Sequence, residues 1–294
     1  MRSQLLIIAT LALDAVLFGI NLVVGLVSGS RAVLSQAVYI IADFIGGILL
    51  VWGFVASQRP PDDRHPFGRG KERFFWAFSA SLVTFTVAGL LVLFTAFGSI
   101  LHPTPVVALP YDLTILIANV AASLVGIWVT LRELRRERAT LTSFLESSHM
   151  GVKTIFFQDV VSVFGALVAL VGIVLIDVTG RDVFDGISAF GIGLLLLATG
   201  VLLAAECREL LVGKAISPEE TQKILQLVER DPRVRRVRGL QSMMLGPEDV
   251  LIAVRVNFQD GLTTDQLESA IDQISISLRE TYPTIRHLVI EPGS

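Results

Sequence analysis

The chain has 294 residues, 52% of them hydrophobic and only 17% charged, with a mean hydropathy of +0.67. A soluble protein needs a solvated surface and carries about a quarter charged residues, so lipid forms part of the solvent here. The formal net charge of −3 gives no basic character that would point to nucleic acid. The single cysteine, Cys207, excludes an intrachain disulfide and a cysteine-built metal cluster.

A helix needs about 20 mostly apolar residues to cross the hydrocarbon core. Six stretches qualify: residues 5–27, 33–56, 74–101, 113–131, 151–176 and 187–205. The first exceeds the apolar core of a signal peptide and lacks a clear cleavage site, so it reads as a retained helix. Turn or charge signals separate the runs, among them Ser28-Gly-Ser-Arg31, Arg59-Pro-Pro-Asp-Asp63 and Thr179-Gly-Arg-Asp182. Backbone groups in lipid must be satisfied within the segment, which makes apolar runs of this length helical.

Orientation follows from Lys and Arg in the connecting loops. Arg59, Arg64, Arg69, Lys71 and Arg73 follow the second run; Arg132, Arg135, Arg136 and Arg138 follow the fourth, with Lys153 at the edge of the fifth. The opposite side has only Arg31 and Arg181. Both termini are therefore expected to face the cytoplasm, or the topologically equivalent side of an organelle; the membrane expected is the plasma (inner) membrane.

Near residue 213 the composition turns polar. Ser217 as N-cap, Pro218 and Glu220 open a helix expected to reach Arg230. Strands are expected over 238–244 and 250–258, the second alternating, with Val250, Ile252, Val254 and Val256 on one face. An amphipathic helix over 264–282 and a strand over 286–291 complete an α-β-β-α-β order, which suits a small ferredoxin-like α+β domain. The expected division is a six-helix transmembrane domain over 1–209 and a cytosolic α+β domain over 210–294.

Two carboxylates stand out inside the apolar runs. Asp43 lies mid-way along the second and Asp159 one third along the fifth. Each costs on the order of 3 kcal/mol at the bilayer centre, so such residues face the interior, pair, or bind an ion. Gln36, Tyr39 and Asp43 share one helical face. Gln158 adjoins Asp159, whereas Ile155, one turn before it, is apolar. Two carboxylates on separate helices can chelate one divalent cation, with oxygen ligands favouring hard or borderline ions. Asp14 and Asn21 share a face of the first helix, and Asn119 lies in the fourth. Asp14 reads as a proton-linked acid, a third ligand, or a group hydrogen-bonded within the bundle. Asp177, Asp182 and Asp185 read as solvated residues near helix ends.

These residues sit in a familiar frame. Gly29-Ser30 through Tyr39 to Asp43, and Asp159-Val-Val-Ser162-Val-Phe-Gly165, resemble the second- and fifth-helix signatures of the cation diffusion facilitator family. His65-Pro66-Phe67-Gly68, Phe184-Asp185 through Gly193, and Glu209 through Ser217 are similar to its divergent zinc-transporter-nine branch. The resemblance covers essentially the whole chain. It implies a homodimeric antiporter exchanging a divalent metal, usually zinc, for protons, with no resident cofactor. It also implies four ligands at Tyr39, Asp43, Ile155 and Asp159. Only the aspartates match the usual types: Tyr39 stands where His or Asp is common, Ile155 replaces His, Gln158 replaces the branch's Glu, and Gln36 an acidic residue. Zinc sites favour imidazole and thiolate, so a site of carboxylate, phenol and amide is harder and suits manganese or iron as well as zinc.

Asp62, Asp63 and His65 are candidates for a further loop site, against a simpler reading in which Pro66 and Gly68 set a turn and Arg69, Lys71 and Arg73 meet lipid phosphates. In the tail, His287 and Glu291 are too far apart along a strand to clasp one ion, and a dimerisation module is expected. His149 is too distant from Asp159 to be its partner. No Ser/His/Asp set, Gly-rich phosphate loop or metalloprotease motif suggests an enzyme. The sequence thus points to a cation/proton antiporter exporting zinc, manganese or iron. The alternative is a membrane scaffold that has lost part of its metal site.

Overall fold

A computed structural model describes residues 2–103, 105, 109–136 and 150–293. Arg138, His149 and the side chain of Asp14 lie outside the described residues. The chain forms two compact units, Met1–Gly53 with Phe75–Cys207, and Phe54–Phe74 with Arg208–Ser294.

The first unit is helical. Its elements are drawn from α1 (Arg2–Ser28), α2 (Arg31–Ser57), α3 (Glu72–Leu101), α4 (Leu109–Arg136), α5 (Met150–Thr179) and α6 (Val183–Val212). Over their described residues, α2 to α6 are long and apolar enough to cross a membrane, and α1 adds the apolar stretch Ala15–Ser28. The buried core gathers Tyr39, Phe85, Leu116, Val161, Ile192 and Leu196, among others. Many large apolar side chains on the outer faces, such as Phe94, Phe97 and Leu202, remain exposed, as lipid-facing helices require.

Between α3 and α6 the backbones nearly touch. A methyl group at Gly186, Gly193 or Gly200 of α6 would lie 3.0 Å from the main-chain nitrogen of Ile100, Leu93 or Thr86 of α3. These glycines recur every seven residues, the small-residue device that lets membrane helices approach closely. Opposite Gly200, α3 winds as a π-helix over Leu82–Val87. The apolar run carries no proline or other sign of this irregularity.

Asp185 corrects the reading of a solvated residue. Only 4% exposed, it accepts hydrogen bonds from Ser30 Oγ (2.7 Å) and from the backbone N–H groups of Arg31 (2.5 Å) and Ala32 (3.1 Å). A carboxylate of α6 therefore satisfies the orphan donors that open α2.

The second unit contains a three-stranded sheet. Its elements are α7 (Pro218–Val228), β1 (Val234–Gly246), β2 (Asp249–Phe258), α8 (Thr264–Thr281) and β3 (Ile285–Pro292). The sheet order is β1-β2-β3, antiparallel for the first pair and parallel for the second, so α8 is the crossover a parallel pair needs. Reciprocal capping boxes start both helices, Ser217 with Glu220 and Thr263 with Gln266. Val250, Ile252, Val254 and Val256 are buried with Ile224, Val228, Ile274, Leu278 and Ile285. β1 starts four residues earlier than expected: Arg235, Arg236 and Arg238 interrupt the alternation, and register shifts accompany them.

The loop between α2 and α3 belongs to this unit. His65 donates its backbone N–H to Asp62 O at 3.0 Å, and Gly68, at φ +80°, donates to His65 O at 2.9 Å. Arg69 and His65 hydrogen-bond to the Asp62 carboxylate at 2.8 and 2.9 Å and hold it well below the usual carboxylate range. Lys71 Nζ donates to Leu211 O at the end of α6 (3.3 Å). A methyl group at Gly70 would lie 2.5 Å from Leu245 O, so the loop backbone rests directly on β1.

Candidate functional site

The candidate site is built where α2 meets α5. Tyr39 is buried, and its hydroxyl donates to the main-chain carbonyl of Gln158 at 2.5 Å. Asp43 lies one turn further along α2, and Asp159 is the next residue of α5. Both aspartates are partly buried. Gln36, one turn before Tyr39, is buried against α5; its Nε2 lies 2.9 Å from where a methyl group on Gly165 would sit.

A third wall comes from α4. A methyl group at Gly126 would lie 2.6 Å from the Asp159 carboxyl carbon, so this carboxylate rests on bare backbone. Asn119, Ser123 and Gly126 follow one face of α4. Asn119 and Asn21 of α1 bond amide to amide (3.1 and 2.8 Å), and Ser123 and Ser162 of α5 bond hydroxyl to hydroxyl (2.8 Å). A polar strip thus runs between apolar helices, its groups paired as low-dielectric surroundings require.

Two buried amide atoms are the exceptions. Gln36 Oε1 and Gln158 Nε2 have no hydrogen-bond partner among the described residues. An unsatisfied carbonyl oxygen is a competent ligand for a hard cation. Ile155 is 41% exposed and carries no donor atom. Among the described residues, no three His, Cys, Asp or Glu side chains gather around one point. A cation held by Asp43 and Asp159 would therefore complete its shell with amide, phenol or water oxygen.

Two charged features escaped sequence reading. Lys153, counted there as a loop cation, is wholly buried at the start of α5 and is ion-paired with Glu206 of α6. Asp112 near the start of α4 is also fully buried. The one signal for the pair was Glu206, an acid directly after a long apolar run.

A family model described as the cation efflux transmembrane domain matches residues 7–212. The chain is 28% identical over 242 residues to the human (Homo sapiens) protein named proton-coupled zinc antiporter SLC30A9, mitochondrial, covering 81% of this chain and 43% of that protein. It is 24% identical to metal tolerance protein C4 of Arabidopsis thaliana, covering 87% and 57% respectively. It is 23% identical to the cation-efflux pump FieF of Klebsiella pneumoniae, covering 94% and 88%. The chain spans about half the length of the SLC30A9 and C4 relatives, and most of the length of FieF.

Proposed function

We propose, because this chain belongs to the cation efflux family, that it carries a divalent metal cation across its membrane in exchange for protons. The bond from Tyr39 to the Gln158 carbonyl carries this reading, since it joins α2 and α5 beside Asp43 and Asp159. In the proposed cycle the ionised aspartates take up the cation from the cytoplasmic side, with Gln36 and Tyr39 supplying neutral oxygens. A helix rearrangement then opens the site outward, and protons compete for the same carboxylate oxygens and release the ion. Burial favours the protonated carboxyl and a bound cation the ionised one, so one pair of groups suffices for coupling.

The relatives' names include zinc, and we extend the candidate cargo to manganese and iron(II) because the proposed ligands here are all oxygens. A homodimer in the plasma or inner membrane with cytoplasmic termini completes the proposal, and we place no enzymatic chemistry or resident cofactor in it. The scaffold alternative is not favoured by relatives that are themselves named as antiporters and efflux pumps.

The test is uptake of zinc, manganese and iron(II) into proteoliposomes under an imposed pH gradient. The intact chain should move at least one of these ions, and Asp43→Ala and Asp159→Ala should abolish that flux. Equal flux in all three proteins overturns the assignment.

A further inference from the structure

The second unit contains a cavity of about 340 Å³ between the loop that joins α2 to α3 and the strand ends of the tail. Arg59, Arg69 and Arg73 line it from one side and Arg286 of β3 from the other, against the carboxylates of Glu248 and Asp249. Positive charge therefore exceeds negative. Asp249 Oδ1 is buried, 3.6 Å from His287 Nε2, and has no hydrogen-bond partner among the described residues.

The arginines are incompletely used. Arg69 gives one terminal nitrogen to Asp62 at 2.8 Å, which leaves its Nε–H buried with no acceptor. The guanidinium groups of Arg59 and Arg286 hold no hydrogen bond or ion pair among the described residues. Buried donors are normally satisfied, and an arginine fork is matched in geometry by phosphate oxygens. The frame is also preformed. Gly70 rests on the Leu245 carbonyl, and Phe67 meets the His287 ring edge to face at 5.1 Å. Loop and β3 arginines are thereby held around one space.

The position in the chain narrows the ligand. Ser57, the last residue of the span Arg31–Ser57, and Arg73, in the first turn of the span Glu72–Leu101, both line the cavity. It thus opens where two membrane spans end, the level at which basic side chains meet anionic headgroups. We propose that this cavity binds a phosphate group through Arg59, Arg69, Arg73 and Arg286, presented by an anionic lipid headgroup or by a free phosphate. The site is separate from the aspartate pair and independent of which cation is carried.

Thermal unfolding of the full chain in detergent tests it. The probes are short-chain phosphatidic acid, diacylglycerol with the same chains, and inorganic phosphate. Phosphatidic acid should raise the midpoint saturably, and diacylglycerol should not. Arg286→Gln and Arg59→Gln should each weaken the apparent affinity roughly tenfold, as loss of one charge-assisted contact does. Both positions are exposed, so if one variant unfolds prematurely the other carries the test. A shift by inorganic phosphate, with competition against the lipid, assigns a free phosphate; a shift by phosphatidic acid alone assigns the headgroup. The proposal is overturned if neither phosphate probe shifts the midpoint, if diacylglycerol acts equally, or if both variants respond like the parent.

Discussion

Tyr39 of α2 and Gln158 of α5 are joined by a 2.5 Å hydrogen bond from phenol to main-chain carbonyl. Because the acceptor is backbone, the link depends on the identity of residue 39 alone. Tyr39→Phe keeps the ring packing and removes the bond. It should cost about 1 kcal/mol, the scale of a hydrogen bond between membrane helices. The midpoint of thermal unfolding should therefore fall only slightly, while cation flux falls several-fold. Unchanged flux would separate Tyr39 from the transport path.

Gly126 offers a sharper geometric test. Gly126→Ala places a carbon 2.6 Å from the Asp159 carboxyl carbon, well inside contact distance. The carboxylate must move, and a displacement of about 1 Å at a reacting group costs up to roughly a hundredfold in rate. Flux through Gly126→Ala should approach that of Asp159→Ala, with the chain still folded by circular dichroism. Gly98→Ala, which meets open space, is the control and should be silent.

The Asn21–Asn119 pair makes a prediction about stability. Each amide satisfies the other inside the bundle. Asn119→Ala leaves Asn21 Oδ1 without its donor, while Asn21 Nδ2 keeps the Leu17 carbonyl at 2.8 Å, and should destabilise by about 1 kcal/mol, within the range measured for such bonds in membranes. The double variant Asn21→Ala/Asn119→Ala should lose less than the two single losses combined. Strict additivity in thermal unfolding would show that the two amides are not coupled.

A pH-dependent effect is expected at Asp249. Burial raises its folded value above the ordinary 3.8, against weaker lowering by His287 and Arg286. The folded chain thus binds this proton more tightly than the unfolded chain does. The associated stability is fully present below the ordinary value and is lost as pH rises through the raised one. Asp249→Asn should therefore unfold at a higher temperature than the parent at pH 7, with the gap closing toward pH 4. A gap that widens on acidification would reverse the assigned sign.

The helices and the tail strand β2 were legible for physical reasons. A long apolar run in lipid has one way to satisfy its backbone, and four valines and isoleucines at alternate positions have one buried face. Asp43 and Asp159 were legible because an acid in such a run is costly. Asp185 was not. Beside Arg181 and Asp182 it has the sequence context of a solvated loop, and only its bonds to residues more than 150 positions away reveal a helix cap. Lys153 misled similarly, because counting loop cations carries no information on Glu206. The arginine-lined cavity was half visible: Arg69 and Arg73 stood out as candidate headgroup partners, whereas Arg286 joins them only through the fold. The π-helical turn at Leu82–Val87, which lies against Gly200, left no trace in the sequence.

The α6 glycines at 186, 193 and 200 have a mechanical consequence. The two backbones lie so close that a methyl at Gly200 would meet Phe85 Cβ at 2.5 Å, and one at Gly186 or Gly193 would crowd a main-chain nitrogen of α3 at 3.0 Å. Leu194 and Val201, next to two of these glycines, are exposed and free to vary among apolar types. In the proposed cycle α3 and α6 are therefore expected to move together, with the rearrangement taken up elsewhere in the bundle.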